Sequence, residues 1–90
     1  MSGSDSGAGN RPLDFSTFVL SLGTSALVQL GEAPAPGGQE FERDLEGARQ
    51  TIDILAMLDN KTRGNLSEQE ASLLRNLLTD LRLRVVRAGK

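Results

Sequence analysis

The 90-residue chain contains no cysteine and no histidine, and it lacks tryptophan and tyrosine as well. Each absence removes a class of chemistry. Without cysteine there is no disulfide, and without either residue there is no thiolate or imidazole metal ligand. The commonest general bases and nucleophiles disappear with them. Phe15, Phe18 and Phe41 are the only aromatic residues, too few for base stacking, sugar platforms or aromatic cages. Ten basic against twelve acidic residues leave a net charge of −2, so no broad field attracts nucleic acid or an acidic membrane. The lack of cysteine fits a reducing compartment without excluding others.

Residues 1–12 are mostly Gly, Ser, Asp and Asn with almost nothing apolar. They cannot bury enough surface to offset their ordering entropy and are expected to form a disordered tail. Residues 13–88 read as a single helical domain, near the lower size limit for a self-sufficient core. With disulfides and the usual metal sites unavailable, self-association is the remaining source of extra stability.

The expected fold is all-α, with helices over about 15–30, 39–63 and 68–87. The first carries no charge from Phe15 through Gly31, so no face is marked for water. Asp14 or Ser16 can cap its start. One apolar line is Phe15, Phe18, Leu22, Ala26 and Leu30. A second side carries Leu20, Gly23, Thr24 and Leu27. The first line, with the larger side chains, is assigned to the protomer core and the second to contact with another copy; the exchanged assignment stays open.

A Pro/Gly connector follows over 31–38, in which Gly31 can take a left-handed cap and Pro34 and Pro36 stop the helix. In the second helix, Phe41, Leu45, Ala48, Ile52 and Leu55 repeat at 4-3-4-3, the spacing of shallow-angle packing. Glu40, Glu42, Asp44 and Glu46 crowd its start, where the helix dipole favours negative charge. Alternating by two, they fan around the helix and make a poor metal cage. Gly47 costs up to about 1 kcal/mol relative to alanine, and close approach of another backbone or a neutral accident both account for it.

The stretch RGNLSEQEA, residues 63–71, is the strongest local signal. Gly64 ends the second helix, and Ser67 with Glu70 forms an S-x-x-E capping box that starts the third. The two helices are therefore expected as an antiparallel hairpin, with the first packed on it and at an oligomer interface. Leu74, Leu77 or Leu78, Leu81 and Val85 line the inner face of the third helix. Its basic end, Arg82, Arg84 and Arg87 with Lys90, reads first as a dipole-matched terminus. A patch for nucleic acid or an acidic protein is the weaker reading.

No catalytic constellation emerges. None of the serines lies in a G-x-S-x-G context, and neither nucleotide-binding glycine motif occurs. Ser21 and Ser25, four residues apart, read as packing residues. The uncharged stretch is too short for a bilayer and is studded with hydroxyls, and Asp14 and Pro34 argue against a signal peptide. No catalytic residue, metal or cofactor is expected, and neither nucleic acid nor membrane is an expected partner.

The stretches DFSTFVLSLGTSALVQLGE (14–32), DLEGARQTIDILAMLDNKTRGNL (44–66) and LLRNLLTDLRLR (73–84) resemble a bacterial family catalogued as a domain of unknown function, number eighteen forty-four. The motifs DFSTF, TSALV, IDILAML and KTRGNL occur in order, and the resemblance covers nearly everything outside the tail and connector. It implies a short cytoplasmic bacterial protein. It implies no activity and carries no functional residue across.

The resulting expectation is a non-enzymatic, homo-oligomeric interaction or scaffolding module whose partner is itself, as a dimer or higher assembly, with a further protein partner left open. The alternative is a small-ligand carrier or regulator whose inter-helix cavity takes its polar groups from Ser21, Thr24 and Ser25.

Overall fold

The computed structural model describes residues 14–38 and 42–89. Among these it contains three α-helices, α1 (Phe15–Gln29), α2 (Leu45–Lys61) and α3 (Glu68–Ala88), and no strand. The all-α expectation holds. The expected tail over 1–12, the place of Phe41 in a helical line and the contribution of Lys90 lie outside the described residues.

Local chemistry explains both ends of α1. The Asp14 carboxylate accepts the Thr17 N–H at 2.7 Å, so Asp14 rather than Ser16 is the N-cap. At the other end the Gly31 N–H donates to the Val28 carbonyl at 2.9 Å and the Glu32 N–H to the Leu27 carbonyl at 2.8 Å. Gly31 has φ 79°, which completes a Schellman motif and redirects the chain. A short 3₁₀ turn at Pro36–Gly38 follows.

The start of α2 corrects the sequence expectation. Residues 42–44 are not helical, and the helix begins at Leu45 rather than 39. Asp44 is the reason. Its carboxylate caps the helix by accepting the Gly47 N–H at 2.9 Å, and its own N–H donates to the Gln29 carbonyl at 2.7 Å. That second bond ties the start of α2 to the end of α1. Glu42 and Asp44 thus precede the helix, leaving Glu46 as the acidic residue of the first turn.

Between α2 and α3 the turn follows its sequence signals. Thr62 caps α2, Gly64 has φ 86°, and the reciprocal capping box of Ser67 and Glu70 is formed, with bonds of 3.1 and 2.9 Å. The alternating LRLRVV segment, 81–86, lies inside α3. Its helical period runs on unbroken from Leu74.

Each helix contributes a short apolar row to one core: Val19, Ala26 and Leu30 from α1, Ala48, Ile52 and Leu55 from α2, and Leu74, Leu78 and Leu81 from α3. The rows of α2 and α3 repeat at four and three, which keeps them on one helix face. All three helices touch one another. Full burial of a side chain such as Leu55 stabilises the fold by about 1.5–3 kcal/mol.

The inner face of α1 keeps most of the expected line, with Ala26 and Leu30 buried and Phe15 and Leu22 packed against the core, but it is widened toward Val19 and leaves out Phe18. Val19 is fully buried although it belongs to neither assigned line, whereas Phe18 is 38% exposed. Phe15 and Leu22 are half-buried against the core, and Gly23 is buried. The helix is packed on two sides, and α3 covers it at Gly23, which draws the Val19–Gly23 side inward.

Candidate functional site

With α1 seated in this way, its outer side presents Thr17, Phe18, Leu20, Ser21, Thr24 and Ser25, all exposed. None is charged, and Leu20 is 50% exposed. Further along the helix Val28 is buried, so the open face ends near Ser25. The outer sides of α2 and α3 differ: they carry Glu46, Arg49, Asp53 and Lys61 on one helix and Arg75, Asp80, Arg82 and Arg87 on the other. Exposed apolar side chains occur on all three helices, with Ile54 and Met57 on α2 and Leu83 and Val86 on α3, but only the outer side of α1 is without charge.

The structure divides the four residues first assigned to an interface. Leu20 and Thr24 face outward, whereas Gly23 and Leu27 do not. A Cβ built on Gly23 would lie 2.8 Å from Leu77 Cδ2 and 3.0 Å from Cδ1, so this glycine is the seat for a leucine of α3. Leu27 is half-buried against the core. Small residues permit close helix approach from any neighbour, and at Gly23 that neighbour is α3 of the same chain.

Where the end of α1 meets α2 there is a compact polar junction. Thr51 is the buried polar residue of the core, 7% exposed. Its hydroxyl donates to the Gly47 carbonyl at 3.1 Å. The Gln29 amide, oriented with its nitrogen toward α2, donates to Thr51 Oγ1 at 2.7 Å, with the Ser25 carbonyl at 3.2 Å and the Gly47 carbonyl at 3.3 Å. These bonds run between α1 and α2 inside the protein, and the junction is structural. It also explains Gly47, where a Cβ would lie 2.4 Å from an Asp44 carboxylate oxygen and 2.9 Å from the Gln29 amide. Sequence spacing carries no signal for a contact between residues 22 positions apart.

The basic end of α3 is likewise divided. Arg82 and Arg87 are exposed. Arg84 bonds to Asp80 Oδ2 through Nε at 2.8 Å and forms an ion pair with Glu32 through Nη1. Hydrogen bonds to Asp80 first, and then to Glu32, hold its pKa above the ordinary arginine value. Arg84 therefore fastens the turn after α1 to α3 and is removed from any patch with Arg82 and Arg87. The i,i+4 pairing with Asp80 was visible in the sequence. The reach to Glu32 was not, although Glu32 is the first charged residue after a 17-residue uncharged stretch.

Two hollows lie between α2 and α3. One, of about 380 Å³, is bounded by Asp59, Arg63, Leu66, Ala71 and Arg75. The other, of about 450 Å³, is bounded by Arg49, Ile52, Asp53, Arg82, Val85 and Val86. Ser21, Thr24 and Ser25 border neither; they face outward on α1. Among the described residues no helix is long and apolar enough to cross a membrane, and no three acidic side chains gather as a metal site.

Residues 12–87 match the model of a family described as Domain of unknown function (DUF1844). No curated protein and no solved structure matches the chain.

Proposed function

Since the chain belongs to the DUF1844 family of domains of unknown function, we propose from its surfaces that it is a non-enzymatic helical interaction module that self-associates through the outer face of α1. The observation that carries this reading is the composition of that face: six outward residues, none charged, including half-exposed Leu20 and Phe18. Four of the six are Ser or Thr, which let a second helix come close, and a two-fold contact between copies would cover Phe18 and Leu20 with their own counterparts. In this reading Thr17, Ser21 and Thr24 lie along the middle, where their small side chains allow close approach, and Leu20 and Phe18 flank them.

The rest of the protomer serves as the support, with α2 and α3 as an antiparallel hairpin. The closeness of Gly89, just beyond α3, to Leu45 and Arg49 at the start of α2 supports this arrangement, as does the hollow shared by Asp59 and Arg75. A non-enzymatic role is supported by a sequence without the commonest catalytic bases and nucleophiles. The carrier alternative has weaker support, because Ser21, Thr24 and Ser25 are on the outside.

Sedimentation velocity and native mass spectrometry test the proposal. The parent chain is expected as a dimer or larger assembly of 9.6 kDa protomers at micromolar concentration. Leu20→Glu is expected to dissociate it while leaving the helical signal intact, since this side chain is half-exposed. Leu27→Glu is a poorer probe, because it also places a charge against the core. A monomeric parent, or a Leu20→Glu variant as oligomeric as the parent, sinks the reading.

A further inference from the structure

A second surface, lined by residues of α2, α3 and the turn between them, combines partly apolar hollows with unspent positive charge. Arg75 and Arg82 are seven residues apart on α3, which puts them on one side of the helix about 10.5 Å apart along its axis. Each borders one of the two hollows. Ile52 and Asp59, also seven apart, mark the same two levels on α2. The hollows therefore follow one another along a single groove between the helices.

The charges of this groove repeat. Each hollow has one aspartate and two arginines: Asp59 with Arg63 and Arg75, and Asp53 with Arg49 and Arg82. The groove is net positive in a chain whose net charge is −2. Arg63 is spent on Asp59, with 3.6 Å between them, and Arg49 lies 4.0 Å from Glu46. Among the described residues neither Arg75 nor Arg82 enters an ion pair. Between the charges the second hollow is mainly apolar, lined by Ile52, Val85 and Val86, whereas the first is mixed, with Leu66 and Ala71 beside Thr62 and Gly64. Val86 is 59% exposed.

We infer that this groove binds an acidic amphipathic helical segment of another protein, with apolar side chains two turns apart entering the hollows and carboxylates meeting Arg75 and Arg82. The repeat of the hollows matches the i, i+7 spacing of a helix laid along the groove. The uncompensated arginines complement carboxylates on its flanks and reject a basic segment. Nucleic acid fits less well, since Asp53 and Asp59 would repel phosphates and the groove has no aromatic residue on which to stack bases. This surface is distinct from the outer face of α1, and its occupation does not depend on self-association there.

The test uses the full chain and two synthetic helix-forming peptides with leucines at i and i+7, one flanked by glutamates and the other by lysines. In a titration followed by amide NMR shifts, the glutamate peptide is expected to perturb Ile52, Arg82 and Val86 together with Leu66 and Ala71. It should bind at least about tenfold more tightly than the lysine peptide, and more weakly as salt is added. Arg82→Glu, at an exposed position, should reverse the preference, and Arg75→Glu provides a second variant should the first lose helical signal. The inference is overturned if neither peptide binds, if both bind equally, or if the shifts fall on α1. It is also overturned if a single-stranded oligonucleotide displaces the peptide from the same residues, or if Arg82→Glu dissociates an assembly of the parent chain, which would make the groove a contact between copies.

Discussion

Leu77 of α3 packs directly over Gly23 of α1, so closely that a Cβ on the glycine would sit 2.8 Å from the nearest leucine methyl. This contact brings α3 against a helix that has no charge to mark its inner side.

Gly23→Ala is therefore expected to destabilise the fold by up to about 2 kcal/mol, since overpacking against the leucine costs about 1–3 kcal/mol and alanine's helix propensity offsets about 1 kcal/mol of it. Adding Leu77→Ala should recover about 1 kcal/mol relative to the sum of the single changes, the signature of two residues in contact. Urea melts of the four proteins in the cycle measure it. Additive losses would show that Leu77 does not press on Gly23.

Gly47→Ala provides a similar test at the start of α2. Propensity alone favours alanine by up to about 1 kcal/mol. Against this, the new methyl would displace the Asp44 cap and the Gln29 amide. Loss of a cap costs about 1 kcal/mol and a disrupted buried hydrogen bond about 1–3 kcal/mol. Net destabilisation is expected in thermal and denaturant melts, and a stabilised variant would contradict the packing described here.

In the turn between α2 and α3, Ser67→Ala should cost about 1 kcal/mol through loss of the capping box. Gly64→Val should also destabilise, since φ there is 86° and a β-branched residue resists that conformation. Its Cβ would meet nothing within 4 Å, so any loss reports backbone strain rather than crowding. Parallel denaturant melts separate the two effects, and parent-like curves for both variants would exclude this turn geometry.

Glu32→Gln releases the turn after α1 from Arg84 while leaving the Arg84–Asp80 pair in place. Exposed ion pairs contribute little to global stability, so the melting temperature should change by no more than about 2 °C. Amide hydrogen exchange should instead accelerate around residues 31–35, where the chain loses its fastening to α3. The elevated Arg84 pKa keeps the guanidinium charged from acid to mildly alkaline pH, so its own titration does not weaken the pair there. Unchanged exchange in Glu32→Gln would show that the ion pair does not restrain the turn.

Features written over a few neighbouring residues could be read from the sequence alone. A cap at Asp14 or Ser16, Gly31 and Gly64 as helix stops, and the Ser67–Glu70 capping box each satisfy backbone groups a few residues away, so composition and short spacing point to them. The core rows of α2 and α3 were legible for a related reason: charge on the opposite sides leaves one apolar stripe for burial. Tertiary structure decided the rest. The uncharged sequence of α1 permits several rotations about its axis with similar burial, and the contacts of the folded helix, Leu77 over Gly23 and Gln29 against Thr51 among them, select one, with Val19 inward and Phe18 and Leu20 at the surface. The start of α2 at Leu45, the Gln29–Thr51 junction and the reach of Arg84 to Glu32 depend on partners brought together by the fold. No short-range period encodes such pairings, because their energy exists only after the helices have met.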